Sequence, residues 1–468
     1  MAKKAKKPNI IFILADDLGS WALEAPAKEE IITPNLDKLS RTGMNFKNFF
    51  CTSPVCSPAR ASILTGKIPS QHGVHDWIRE GNEGLEYLND HKAYTEILSE
   101  AGYTCGISGK WHLGDSFRKQ KDFDHWFVHQ KGGGPYYSAP MVEDGKAENK
   151  EGYITDVITN DALTFVENAH QSSHPFCLNI NYTAPHSPWD YDQHPDEYLN
   201  LYQDCSFDSI PELSRHKWQR DDVEYPIGAR RKEVLTGYFA AVTAMDYNIG
   251  RVLDKLNELN IRENTIVIFS SDNGMNMGHH GIFGKGNGTF PQNMYDSSVK
   301  VPMIISLPGK IAVGESSDAL VSHYDFMPTI LKYLNINDIK DERLPGKSFA
   351  KILNGEDQLN SKEVVVFDEY GPVRMIRNKS WKYIHRYPYG PNELYDLKND
   401  PGEINNLINA NGHEEIISEM KDKLEKWFVK YADPEIDGSR EEVYGRGQKN
   451  LAGVKAKGER YFKHIAPE

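Results

Sequence analysis

The sequence predicts an α/β protein: a large N-terminal domain with a mostly parallel central sheet flanked by helices, and a smaller C-terminal α+β domain with an antiparallel sheet and one helix. Three observations predict it. Over the first two-thirds, short apolar runs alternate with stretches of helical periodicity, the pattern of a largely parallel sheet. Beyond about residue 356, short strand-like runs follow one another closely and a charged helical stretch comes after them. Finally, 468 residues exceed what a single hydrophobic core usually supports. The boundary falls at 355/356, giving an α/β unit over 1–355 and an α+β unit over 356–468 that ends in a polar, wrapping tail.

The elements follow in order. Asn9–Ala15 reads as a strand buried on both faces. Thr33, Pro34 and Gly43 punctuate a helix as its cap, its first position and the residue just past its end. Further strands are expected at Thr104–Ser108, Phe176–Tyr182, Thr265–Ser270 and Val301–Ser306, and helices at Asp156–Asn168 and Arg231–Leu259. In the C-terminal part, strands are expected at Val364–Phe367, Val373–Ile376 and Trp381–His385, and a helix at Glu414–Tyr431.

Composition limits the function. A hydrophobic fraction of 39% suits a globular chain. No run approaches the roughly 18 apolar residues of a membrane span. The net charge of -13 argues against nucleic acid or an anionic membrane as partner. An anionic substrate would need local positive charge. The start, Met1 to Lys7, is lysine-rich but lacks the apolar part of a signal peptide. A cytoplasmic location is one expectation; a periplasmic or secreted one applies if an export signal has been removed. Five cysteines (51, 56, 105, 177 and 205), odd in number and without CxxC spacing, argue against a disulfide framework or a thiolate metal site.

Chemistry collects at the ends of the strands. Asp16 and Asp17 follow the first, Lys110 and His112 the second, His186 the third, and Asp272 and Asn273 the fourth. In open parallel sheets the carboxyl edge is where ligands bind, so four strand ends deliver these groups to one place. Asp16, Asp17, Asp272 and Asn273 are hard oxygen ligands, suited to Ca²⁺ or Mg²⁺. Adjacent aspartates on a regular strand point to opposite faces, so the backbone must bend for both to serve one ion. In the run Cys56-Ser57-Pro58-Ala59-Arg60, Ser57 reads as a helix cap, Pro58 as its first position and Gly66 as its stop. Cys56 would then sit at the positive end of a helix, with Arg60 one turn in.

Pro54–Gly66, with its C-x-P-x-R core, resembles the signature of the type I sulfatases of the alkaline-phosphatase superfamily. Asn9–Gly19 resembles that family's opening strand and metal loop, Gly109–Gly114 its lysine–histidine motif, Ala184–Pro188 its next histidine motif and Ser271–Gly274 its second metal motif. Gly284-Lys285-Gly286 is similar to its last active-site lysine, and Glu393–Leu397 to its C-terminal landmark. The resemblance implies a sulfatase in which Cys56 is converted by a maturation enzyme to formylglycine (3-oxoalanine), whose hydrate attacks sulfur. It implies a cation held by Asp16, Asp17, residue 56, Asp272 and Asn273, with Arg60, Lys110 and Lys285 neutralising the sulfate oxygens. It also implies a leaving-group proton from His186 or Lys285, and His112 as the base that releases sulfate. The sequence departs from the family after Gly286, where Asn287–Tyr295 replaces a Glu-Gly-rich stretch.

Aromatic and charged residues near these motifs are candidates for substrate contact: His72, Trp77, Arg79, Trp111, Trp189, His280, His385 and Arg386. Family breadth favours a sulfated carbohydrate, with Arg79 or Arg386 available to a uronic acid. Two rival readings remain open. One is a phosphonate monoester or phosphodiester hydrolase of the same superfamily. The other is a sulfated-glycan-binding pseudoenzyme whose Cys56 is never modified.

Overall fold

The computed structural model describes residues 7–79, 84–172, 174–336, 341–356, 365 and 371–457. In chain order the strands are β1 (Asn9–Ala15), β2 (Met44–Phe50), β3 (Thr104–Gly109), β4 (His125–His129), β5 (Tyr137–Glu143), β6 (Lys146–Tyr153), β7 (Phe176–Asn181) and β8 (Thr265–Ser271). They continue with β9 (Asn276–Met277), β10 (Phe283–Gly284), β11 (Met303–Ser306), β12 (Glu315–Ser322), β13 (Val373–Arg377), β14 (Trp381–Arg386) and β15 (Glu393–Asp396). Ten of them form one sheet in the order β12-β2-β11-β8-β1-β7-β3-β4-β5-β6.

The centre of that sheet positions the site. β8, β1, β7 and β3 are consecutive neighbours, and every pairing among them is parallel. Their carboxyl ends therefore open on one edge. β11 runs antiparallel to both β8 and β2, which turns β2 back into the direction of the central four. The helix after β2 consequently starts at the same edge.

Alternation along β1 explains why both faces are covered. Ile10, Phe12 and Leu14 join an apolar cluster with Ile63, Tyr94, Ile97, Phe326 and Ile330. Ile11, Ile13 and Ala15 point the other way, into a cluster with Ile158, Phe165, Tyr238 and Phe239. All seven β1 residues are buried, and after Asn9 the strand is an unbroken apolar run from Ile10 to Ala15.

The second sheet, β13-β14-β15, is antiparallel. The helix Glu414–Tyr431 buries Met420, Leu424 and Phe428, which join Val373, Met375 and Ile384 in the same cluster as Phe12 and Ile63. The last described segment lies along Ser70–Arg79: Gly438 N donates to Ser70 Oγ (2.7 Å) and Gln448 Nε2 to the Gly73 carbonyl (2.9 Å). No helix among the described residues is long and apolar enough to cross a membrane.

The structure shifts several expected boundaries. The strand expected from Val301 starts at Met303, and the helix expected from Arg231 starts at Gly228. The expected strand Val364–Phe367 lies outside the described residues, apart from Val365. β6 was not anticipated, and its composition explains why. Lys146–Gly152 is polar and mostly exposed on the sheet's edge, so it carries no alternating apolar signal.

Candidate active site

Asp16 and Asp17 leave β1 together, and the expected bend lies at Asp17, whose φ is 68°. Asp17 N donates to Asp272 Oδ1 (3.2 Å) and Tyr238 Oη to the Asp17 carbonyl (3.0 Å), holding this otherwise unfavourable left-handed turn. β3 ends on Gly109, at φ 111°, where a Cβ would lie 2.0 Å from the Asn181 carbonyl oxygen. Only glycine lets the chain pass β7 there and send Lys110 inward.

Cys56 opens the helix Cys56–Thr65, and Gly66 closes it in the left-handed conformation. The helix starts two residues earlier than the sequence suggested. Val55 holds the cap position, and Ser57 Oγ instead accepts from Ile78 N (3.0 Å). The consequence for Cys56 stands: it lies in the first turn, where unpaired amides favour negative charge.

The predicted groups meet around it. Lys285 Nζ donates to Cys56 Sγ (2.9 Å) and to Asp17 Oδ1 (2.6 Å), and the thiol donates to Asp16 Oδ1 (3.3 Å). Lys110 Nζ bonds Asp16 Oδ2. Arg60 places Nε 2.9 Å and Nη2 2.8 Å from Asp272 Oδ2, while its Nη1 donates to the Lys110 carbonyl (3.1 Å). Asn273 Nδ2 donates to Asp17 Oδ1 (2.7 Å). His186 Nε2 stands 3.7 Å from Asp17 Oδ2.

Electrostatics follow from this crowding. Burial would raise Asp16, but Lys110, His186 and Arg60 hold its carboxylate well below the usual range. Burial and neighbouring Asp16 push Asp272 up to about 7 against the pull of Arg60 and Lys110. Burial, reinforced by Asp16, pushes the Cys56 thiol up to about 12 despite the two lysines. For Lys285, burial is outweighed by Asp17, Cys56 and Asp16, which keep it charged. His112 is held well below its usual range by burial and by Lys110. Its Nε2 lies 3.0 Å from the Ile78 carbonyl, which can only accept, so Nε2 carries the proton. Nδ1, without a partner among the described residues, keeps its lone pair.

The donor set fits a hard cation. Asp16, Asp17 and Asp272 each bring a carboxylate oxygen within 4.8 Å of the others. The buried Asn273 Oδ1 has no hydrogen-bond partner among the described residues. A buried oxygen that lacks a donor, beside a carboxylate, Asp272, that burial and Asp16 raise, is what a bound Ca²⁺ or Mg²⁺ would satisfy.

A cleft of about 450 Å³ opens on this cluster. Asp17, His186 and Lys285 line it, together with Trp189, Val223, Met275 and Phe283. Arg230 also lines it, bound to Asp190 (2.7 Å), Glu224 (2.8 Å) and Glu233 (3.0 Å).

Of the candidate substrate contacts, Trp189 alone lines this cleft. His72 is buried in the scaffold, 3.1 Å from Ser62 Oγ and accepting from Val74 N. His280 stacks on Tyr295 at 3.7 Å, and burial pulls it down to about 3. Trp111 is buried against Phe123 and Trp126. Arg386 is committed to Glu393 (2.7 Å), and His385 to Tyr383. Trp77 and Arg79 stack on each other beside Gly445, outside the cleft lining. Sequence reasoning missed Arg230 and the apolar wall, because they come from loops and a helix start with no motif. It also passed over Gly132-Gly133-Gly134, where three successive glycines signal a close backbone approach.

Such an edge can bind an anionic ester, shield its charge and deliver a nucleophile and protons to it, which is the work of a hydrolase. The chain belongs to the sulfatase family: the family model described as Sulfatase matches residues 8–336, and the one described as N-sulphoglucosamine sulphohydrolase, C-terminal, matches residues 278–430. An N-acetylglucosamine-6-O-sulfatase of Bacteroides thetaiotaomicron is 28% identical over 96% of this chain and 91% of its own length. An ulvan-active sulfatase of Formosa agariphila is 31% identical over 91% of this chain and 82% of its own length. A structure solved with its substrate D-glucosamine-2-N,6-O-disulfate matches with a TM-score of 0.79 at 27% identity, covering 93% of this chain and 100% of that one. A phosphonate monoester hydrolase from Silicibacter pomeroyi shares the fold, with a TM-score of 0.73 at 19% identity over 92% of this chain and 96% of that one. The protein is a sulfuric ester hydrolase.

Proposed function

We propose that the protein removes sulfate from a sulfated carbohydrate, using a formylglycine made from Cys56 by a maturation enzyme and a divalent cation, Ca²⁺ or Mg²⁺, held by Asp16, Asp17, Asp272 and Asn273. The state of residue 56 carries the nucleophile reading. As cysteine it is 2% exposed, and its thiol is pushed up to about 12. It would be neutral at working pH and a poor nucleophile. The same position touches a lysine donor and a carboxylate acceptor, partners that suit the hydroxyls of a hydrated aldehyde.

Charge supports an anionic substrate. Asp16, Asp17 and Asp272 balance Arg60, Lys110 and Lys285, so a bound divalent cation would leave the site positive overall. When bound, the cation supplies Lewis-acid polarisation and charge neutralisation. Arg60, Lys110 and Lys285 add fixed positive charge beside residue 56, where the sulfate oxygens gain charge during attack. His112, neutral and with a lone pair on Nδ1, takes the proton that accompanies sulfate release. Asp17 holds Lys285 in its charged form, so we assign the leaving-group proton to His186, which lines the cleft. His186 Nδ1 donates to the Ser187 carbonyl (2.8 Å), so the proton to be delivered sits on Nε2 of the imidazolium form, which burial opposes and Asp16 and Asp17 favour.

The carbohydrate reading rests on the substrates named for the relatives and on a cleft large enough for a sugar, with Trp189 as an apolar face. The test is a panel of sulfated mono- and oligosaccharides, an aryl sulfate and an aryl phosphonate, run on wild type and Cys56→Ala. Sulfate release from a sugar by wild type, abolished in the variant, is expected. An active Cys56→Ala protein would remove the nucleophile, and faster phosphonate turnover would replace the reaction. Binding without any turnover, with a thiol at residue 56, would make the protein a glycan binder.

A further inference from the structure

We infer that the backbone of Gly132–Gly134 is a positioning strap that fixes the imidazoles of His112 and His186; the inference rests on the roles assigned to these histidines above. A Cβ on Gly132 would lie 2.0 Å from His112 Nε2, 2.2 Å from Cε1 and 2.4 Å from Cδ2. A Cβ on Gly133 would lie 3.3 Å from His186 Cε1, and one on Gly134 2.8 Å from His129 Cε1. Three successive glycines thus each rest on a histidine ring, two of them catalytic.

None of the three glycines has a left-handed φ. Their backbone would accept alanine, so the histidine rings are what oppose a side chain at these positions. The strap is tied down at both ends. Gln130 N donates to the Pro140 carbonyl (2.9 Å), and the Gln130 carbonyl accepts from Ser116 Oγ (3.0 Å). At the other end Tyr136 is buried, its N donates to Gln193 Oε1 (3.1 Å), and its Oη donates to the His186 carbonyl (2.8 Å). With the strap anchored, a methyl group on residue 132 would have to displace the His112 ring at its Nε2 side. That side makes the bond to Ile78 which fixes the proton on Nε2 and leaves Nδ1 as the base. The strap therefore controls both the place and the tautomer of His112.

The test uses the full-length, matured enzyme and a sulfated sugar, whose alkoxide leaving group needs a proton, comparing wild type, Gly132→Ala, Gly133→Ala, His112→Ala and the Gly132→Ala/His112→Ala double variant. Gly132→Ala is expected to lower kcat on the order of 100-fold, the usual cost of misplacing a catalytic group by about 1 Å, with KM within about threefold. Gly133→Ala, whose methyl needs only a few tenths of an ångström, is expected to lose about three- to tenfold. In the double variant the two effects should overlap, with less than about threefold added to the loss in His112→Ala. A general distortion of the loop would add its full loss in that background, which would overturn the strap. So would a Gly132→Ala enzyme within about threefold of wild type while His112→Ala is inactive. A fully active His112→Ala would instead remove the base assignment on which the strap depends. Should Gly132→Ala fail to fold, Gly133→Ala carries the test through His186: a measurable fall in kcat supports the strap, and an unchanged rate overturns it.

Discussion

Replacing Lys285 by methionine removes a cation in contact with residue 56 while keeping most of its aliphatic volume. Lys285 Nζ stands 2.9 Å from Sγ and 2.6 Å from Asp17 Oδ1, with its side chain 12% exposed. At an effective dielectric of about 20, a unit charge at that distance from the nucleophile is worth about 6 kcal/mol. This overstates the kinetic effect, because the charge also acts in the ground state and only the difference counts. Removing one preorganised donor typically costs about 2.7–4 kcal/mol, which is about 10²–10³ in kcat. That is the predicted loss for Lys285→Met. The assay is steady-state hydrolysis of 4-nitrophenyl sulfate, with rates normalised to the fraction of residue 56 converted to aldehyde. Asp17 keeps its bond to Asn273, so the variant should fold, which a thermal melt checks. A kcat within about threefold of wild type would refute the placement of Lys285 at the reacting centre.

Two further outcomes follow from the same geometry. Chelation should abolish turnover, and added Ca²⁺ or Mg²⁺ should restore it. The melting temperature should rise with cation concentration, by the equivalent of about 2.7 kcal/mol at a hundred times Kd; a melt and a rate insensitive to chelator would contradict the oxygen-ligand reading. Lys382 is fully buried between Asp296 (2.6 Å) and Glu403 and donates to the Met294 carbonyl (2.9 Å), joining β14 to the loop after β10. Lys382→Met should cost about 3–5 kcal/mol in a urea titration, as breaking a buried pair does. Activity per folded molecule should change by less than about twofold.

Chemistry concentrated at strand ends could be read from the sequence, because apolar runs locate strands and parallel strands share one ligand edge. That logic placed Asp16, Lys110, His186 and Asp272 together, and the consecutive neighbours β8, β1, β7 and β3 bear it out. The bend between two adjacent aspartates followed from strand geometry alone and appears as the left-handed Asp17. Side chains that line a cleft through tertiary packing could not be read this way. His280 and Arg386 carry suitable chemistry, but Tyr295 and Glu393 occupy them, and no local pattern announces such partners. Arg230 joins the cleft wall through an ion-pair cluster assembled from separate loops. The Gly132–Gly134 strap was visible as composition, but its meaning depends on which rings lie beneath it. The early start of the Cys56 helix shows a local rule giving way: Ser57 serves Ile78 rather than the helix end.

The central claim is that Cys56 is a precursor rather than the nucleophile, and the measurement closest to it is mass spectrometry of the peptide containing residue 56, isolated from active protein. The account predicts an aldehyde at that position, trapped by a hydrazide, in a fraction that rises in proportion to specific activity across preparations. Fully active protein that carries only an unmodified thiol at residue 56 would contradict it.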